Sequence, residues 1–163
     1  MDTSVTTIRS ATAADAHRLA ELRYQFRAAL APVSETEAVF VARCRGWMQE
    51  RLHPNRGWCC WVAEQAETII GNLWLQLIEK IPNPVEEPEF HAYISNFYLC
   101  EAARGQGIGA RMLQTALDWS RAQQVQTVLL WPTPQSRSLY LRHGLATSED
   151  ILALEMKTFP NEH

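Results

Sequence analysis

Arg104-Gly105-Gln106-Gly107-Ile108-Gly109 is the stretch of this chain best suited to holding a ligand. Glycine lacks a Cβ, so glycines one residue apart let the backbone approach a bound molecule closely. A strand-like run over residues 93–100 precedes the loop and a helical pattern over residues 108–123 follows it. A helix start presents unpaired N–H groups and the positive end of its dipole, so strand, loop and helix together read as a cradle for a pyrophosphate. The competing reading is a strand-to-helix turn that binds nothing.

Composition limits what such a site can serve. The chain has 163 residues, 47% hydrophobic and 20% charged, which is the make-up of one globular domain spanning residues 1–163. A formal net charge of -3 argues against nucleic acid as a partner, so an anion site must be local. Residues 1–7 lack the basic and apolar regions of a secretory signal. The longest apolar stretch, residues 69–78, is interrupted by Asn72 and Gln76 and is far short of the roughly 20 residues that span a bilayer. A cytoplasmic location without a membrane partner is the expectation. Cys44, Cys59, Cys60 and Cys100 contain no C-x-x-C pair and the histidines are scattered, which predicts reduced thiols and no metal.

The elements that must position the loop follow from periodicity. Residues 5–9 alternate as a strand, and Thr12 to Asp15 has the spacing of a capping box before a helix with Leu19, Leu22, Phe26 and Leu30 on one face. Pro32 ends that helix, and residues 34–37 can cap a second, with an apolar stripe of Phe40, Cys44, Trp47, Met48 and Leu52. Residues 58–64 and 69–78 read as an antiparallel hairpin, and residues 79–89, with three prolines and four glutamates, as a solvated loop before a strand at 91–100. After the glycine loop, Ile108, Met112, Leu113, Ala116, Leu117 and Ser120 recur at helical spacing. A strand at 127–131, a helix at 134–143 and a closing strand at 151–157 complete the order β-αα-β-β-β-α-β-α-β, with no internal repeat. The six tryptophans are expected to pack in the core rather than form an acceptor pocket.

Two motifs resemble the GNAT superfamily of acyl-CoA-dependent N-acetyltransferases. Residues 97–109, running through Arg104 to Gly109, match its Arg/Gln-x-x-Gly-x-Gly/Ala loop after the fourth strand. Residues 133–145, Thr-Pro-Gln-Ser-Arg-Ser-Leu-Tyr-Leu-Arg-His-Gly-Leu, resemble its Asn-x-x-Ala-x-x-Leu-Tyr-x-x-x-Gly-Phe segment. One helix and one strand fit between them, as in the family, and the likeness in element order covers nearly the whole chain. The segment departs from the pattern at Thr133, which replaces Asn, and at Leu145, which replaces Phe.

The resemblance implies a mixed α/β fold with a central, mostly antiparallel sheet flanked by helices, and acetyl-CoA as acyl donor. It implies that Phe97, Tyr98 and Leu99 pair with the pantetheine arm, that Arg104, Gly105, Gln106, Gly107, Ile108 and Gly109 hold the pyrophosphate, and that Thr133, Ser136 and Tyr140 complete the cofactor site. Catalysis would rest on the Phe97 N–H, polarising the thioester carbonyl, and on Tyr140, donating a proton toward the departing thiolate. Arg137 and Arg142 either meet the adenosine phosphates or are solvated.

The implied activity is acetyl transfer to a primary amine of a small molecule or a peptide, by direct attack in a ternary complex. Family members often pair as homodimers. No motif supplies a general base; Glu64, Glu86, Glu89 and Glu101 are nominal candidates, and a water chain is another. The alternative is a non-catalytic acyl-CoA-binding regulatory module. A dinucleotide-binding oxidoreductase fits poorly, because the glycine spacing is G-x-G-x-G and not G-x-G-x-x-G.

Overall fold

The structure, a computed structural model, describes residues 5–156. Most of residues 1–7, read above as signal-free, and Lys157 of the expected closing strand lie outside the described residues. Strands β1 (Thr7–Ser10), β2 (Trp58–Gln65), β3 (Thr68–Glu79), β4 (Phe90–Leu99) and β5 (Thr127–Leu129) form one sheet in sequence order. Its pairs are antiparallel except β4 with β5. Helix α1 (Ala16–Leu30) and α2 (Glu37–Arg51) follow β1, α3 (Ile108–Ala122) connects β4 to β5, and α4 (Arg137–Arg142) follows β5. The parallel pair requires a crossover, and α3 supplies it.

Alternation along the strands divides the core between the two faces of the sheet. Trp61, Ala63, Leu73, Leu75, Ala92 and Ile94 pack with α3 and Tyr140 of α4. Cys60, Val62, Ile69 and Trp74 face Leu19 and Leu22 of α1 and Val41 and Met48 of α2. Every position expected on the inner face of α3 is buried. Even Ser120 fits there, because its hydroxyl donates to the Ala116 carbonyl at 2.8 Å.

The start of α1 is secured as its spacing predicted. Asp15 accepts from the Thr12 N–H at 2.8 Å and is gripped by both terminal nitrogens of Arg9 at 2.9 and 3.0 Å. Arg9 also meets Glu64 at 2.6 Å, tying β1, β2 and the helix entrance together.

Several expectations are corrected. Residues 151–156 form no strand: Leu152, Leu154 and Met156 stand exposed, and an apolar alternation does not become a strand without a partner edge. The strand expected at 127–131 stops at Leu129, just before Pro132, which has no N–H to give a ladder. Helix α4 begins at Arg137 rather than at Pro134. Leu30 is half exposed at the end of α1, and Trp47 is part-exposed although its ring meets those of Trp58 and Trp74, while Val41, outside the expected stripe, is buried. Trp61 and Trp74 are core residues, but Trp131 is 68% exposed and rests edge-on against Tyr93 with ring centroids 5.2 Å apart.

Two irregularities in the sheet prepare the site. Asn72 pairs with Tyr98 but Trp74 pairs with Ser95, so β4 carries an extra residue there, and Asn96 takes φ 48°. Strand β5 pairs with β4 only through His91, Ala92 and Tyr93. Among the described residues, β4 therefore has a free edge from Ile94 to Leu99 on the side where β5 has ended.

Candidate active site

The loop after β4 is built as a cradle. A 3-10 turn (Glu101–Ala103) leads into Gly105 and Gly107, whose φ values of 75° and 74° lie in the left-handed region. A Cβ at either position would meet nothing within 4 Å, so the conformation rather than crowding selects glycine. Gly107 begins α3 with no side-chain cap, so the first N–H groups of the helix face outward from the end of β4. Such an end suits an anion.

Arg104 is differently engaged from a phosphate ligand. Its Nε donates to the Leu99 carbonyl at 3.0 Å and its guanidinium lies 5.7 Å over the Tyr98 ring. Tyr98 stacks on Phe26 of α1 with centroids 5.3 Å apart, and Arg23 lies 5.8 Å over the other ring. This layered stack pins the loop entrance to α1. The Gln106 side chain likewise turns back, donating to the Ala102 carbonyl at 3.1 Å.

Helix α4 brings the second motif to the same place. Thr133 and Ser136 close the turn that leads into it: the Thr133 N–H donates to Ser136 Oγ at 3.0 Å, and the Ser136 N–H to Thr133 Oγ1 at 3.3 Å. Both hydroxyls thus take part in the turn before the helix, a turn that also contains Pro134. Tyr140 is 7% exposed and its ring centroid is 6.4 Å from that of Phe97. A Cβ on Gly109 would sit 3.7 Å from Phe97 Cζ and 3.9 Å from Leu139 Cδ2. Strand β4, the start of α3 and helix α4 therefore converge at Phe97, Gly109 and Tyr140. Burial pushes the Tyr140 phenol above its ordinary pKa, partly opposed by a hydrogen bond from Ser136.

The nominal bases do not join this cluster. Glu64 is bound by Arg9 at the β1–β2 edge. Glu101 is exposed in the 3-10 turn, and Glu86 and Glu89 lie in the loop between β3 and β4. That loop is held at the opposite end of β4 by Lys80, which meets Glu87 at 2.9 Å, the Pro88 carbonyl at 3.0 Å and Gln126 at 2.5 Å. Arg137 donates to the Thr147 hydroxyl at 3.1 Å. Residues that sequence reasoning missed are Arg23 and Asn96, joined by a long contact of 3.4 Å across the helix–strand boundary. No local pattern links positions so far apart in sequence.

Among the described residues no helix is long and apolar enough to cross a membrane, and no group of three or more His, Cys, Asp or Glu side chains is gathered for a metal.

An open-edged fourth strand, a glycine-started helix and a Tyr-bearing fourth helix on a mostly antiparallel sheet define an acetyltransferase fold. The sequence pattern of the acetyltransferase (GNAT) family matches residues 19–145, and the chain belongs to that family. The fold is similar to that of a predicted acetyltransferase from Clostridium acetobutylicum solved with acetyl-CoA, at TM-score 0.74 and 20% identity over 93% of this chain and 97% of the other. It is also similar to a GCN5-related N-acetyltransferase from Ralstonia eutropha JMP134, at TM-score 0.70 and 21% identity over 93% and 99%. Glucosamine-6-phosphate N-acetyltransferase from Arabidopsis thaliana aligns at TM-score 0.68 and 13% identity over 94% and 99%. No curated protein matches the chain in sequence.

Proposed function

We propose that this chain transfers an acetyl group from acetyl-CoA to a primary amine by direct attack in a ternary complex. The observation that carries the reading is the convergence of the free β4 edge, the uncapped start of α3 and buried Tyr140 around Phe97 and Gly109. The residues fit the donor: outward N–H groups from Gln106 to Gly109 suit a pyrophosphate, and the free edge from Phe97 to Leu99 suits an extended arm with amides of its own. The solved acetyl-CoA complex from Clostridium acetobutylicum, on the same fold, supports this choice.

Acetyl-CoA supplies a thioester activated for acyl transfer. The Phe97 N–H donates a hydrogen bond to the acyl oxygen, where charge develops as the amine attacks. Tyr140, kept protonated by its burial, donates toward the departing sulfur. Its tilted ring contact with Phe97 and its burial on α4, behind the Thr133–Ser136 turn, fix the hydroxyl relative to β4. The amine gives up its proton to water, since Glu64 is held by Arg9, Glu86 and Glu89 lie in the loop between β3 and β4, and Glu101 is exposed in the 3-10 turn.

A thiol-release assay with acetyl-CoA against small amines and peptides tests the reading. Amine-dependent CoA release by wild type, with a product heavier by one acetyl group, is expected. Acetyl-CoA binding without release in any pairing would overturn transfer in favour of a binding module.

A further inference from the structure

Among the described residues, Arg23 is the one partly buried cation of α1 that lacks a counterion. Arg9, Arg18 and Lys80, which are also partly buried, each meet a carboxylate. The groups around the Arg23 guanidinium are the Phe26 ring, the Asn96 side-chain oxygen, Arg27, Cys44 and Tyr93, and none is a carboxylate. Arg27, one turn further along α1, makes no side-chain ion pair among the described residues, and its charge adds to that of Arg23. A guanidinium does not give up its proton in a protein, so the Arg23 charge at β4 stands without a carboxylate partner among the described residues, with the exposed Arg27 charge beside it. Desolvating a charge without a partner costs several kcal/mol, a cost that an incoming anion would offset.

The position of this charge matters as much as its sign. Asn96 is the bulged residue of β4 and directly precedes Phe97. Arg23 approaches β4 from the α1 and α2 face, whereas Tyr140 and the start of α3 lie on the other. Through its contact with Asn96 the cation is therefore tied to the residue next to Phe97 in the chain.

We infer that Arg23, assisted by Arg27, binds an anionic group of the acceptor, so that the favoured amine carries a carboxylate or phosphate a few bonds from its nitrogen. The inference rests on the acetyl-transfer reading for the meaning of "acceptor", but the anion site is testable by binding alone. In this geometry the acceptor enters from the side of α1, its anion meets Arg23, and its amine points past Asn96 toward the acyl carbon.

The test compares matched acceptors: glycine against glycinamide, and O-phosphoethanolamine against ethanolamine. Wild type is expected to favour the anionic member by about 10- to 100-fold in kcat/KM, the worth of a charge-assisted hydrogen bond. Whichever pair gives the larger ratio separates carboxylate from phosphate. In Arg23→Gln the ratio is expected to collapse toward one, chiefly through KM, and Arg23→Lys to restore part of it. Arg27→Gln, at an exposed position, gives a smaller fall and serves if Arg23→Gln does not fold. Calorimetry of the same acceptors on the CoA-loaded protein separates the two readings. Anion-dependent binding lost in Arg23→Gln, with no turnover, keeps the anion site and overturns transfer. Turnover that favours ethanolamine, glycinamide or a polyamine keeps transfer and overturns the anion site, as does an equal loss for both members of each pair.

Discussion

Burial gives Tyr140 what a proton donor requires, because withdrawing the phenol from water disfavours its anion and keeps the proton in place. Removing that hydroxyl in Tyr140→Phe is expected to lower kcat by about 10²- to 10⁴-fold while acetyl-CoA binding persists. Steady-state kinetics beside calorimetry measures both, and equal turnover would remove Tyr140 from the mechanism. Because its pKa is raised, the folded state holds this proton longer than the unfolded chain. Tyr140 therefore leaves stability unchanged below about pH 10, and its contribution to stability falls as pH rises beyond that.

Asp15 has the opposite sign. Hydrogen bonds from Arg9 hold its carboxyl below the usual carboxylate range, so its stabilisation is present at neutral pH and disappears as pH falls through the lowered value. Asp15→Ala removes both the cap and the ion pair and is expected to cost about 1–3 kcal/mol at pH 7. Chemical denaturation repeated at acid pH should find the gap between variant and wild type closing; a gap independent of pH would mean that the charge is not the cause.

At the scale of elements, the β3–β4 pair and the loop after it bear most constraint. A Cβ at Gly71 would lie 2.7 Å from Leu99 Cδ1 and 2.9 Å from the Tyr98 carbonyl, so Gly71→Ala must push β4 away from β3. We expect about 1–3 kcal/mol of destabilisation, read as a lower melting temperature, and weaker acetyl-CoA binding because the displaced residues border the free edge. Gly107→Ala differs, since space is open but φ is 74°. It should cost about 1–2 kcal/mol through backbone strain alone. If Gly107→Ala proves the more damaging to stability of the two, crowding at Gly71 is not the dominant constraint.

The legibility of the sequence also varies by element. Helix α3 was readable because it lies with one face on the sheet and its other face in water, so 3.6-residue periodicity alone marks Ile108, Met112, Leu113, Ala116, Leu117 and Ser120. Helix α2 was less so: it touches α1 as well as the sheet, its polarity is poorly segregated, and Val41, off the apolar stripe, turns in. The apolar alternation at 151–156 has strand character, but pairing is a relation between segments that no single segment encodes. The two motif-bearing stretches of the candidate site were visible for the same reason as α3, being local. Arg23 was invisible because its meaning comes from Asn96, brought to it by the packing of α1 on β4.

For the whole molecule, the donor is expected to act as a structural ligand. Anything that binds only the folded state stabilises it by mass action, by about 2.7 kcal/mol at a hundredfold excess over Kd. For a chain of this size that corresponds to roughly 5–10 °C in melting temperature. A thermal-shift titration with CoA should give this rise, and Tyr140→Phe should retain it. No shift at saturating CoA would contradict a donor site along β4.

The short pairing of β5 with β4 has another consequence. From Ile94 to Leu99 the backbone of β4 offers a row of amide and carbonyl groups that no strand among the described residues covers on that side, the Leu99 carbonyl being met by Arg104. Such a row is a template for any extended chain, including the exposed apolar stretch that contains Leu152, Leu154 and Met156 in another copy. A pantetheine arm lying in the slot would shield it from such contacts. Protein purified free of CoA should therefore turn turbid sooner and at lower concentration than the same protein stored with it, so the ligand that serves the reaction also guards against self-adhesion.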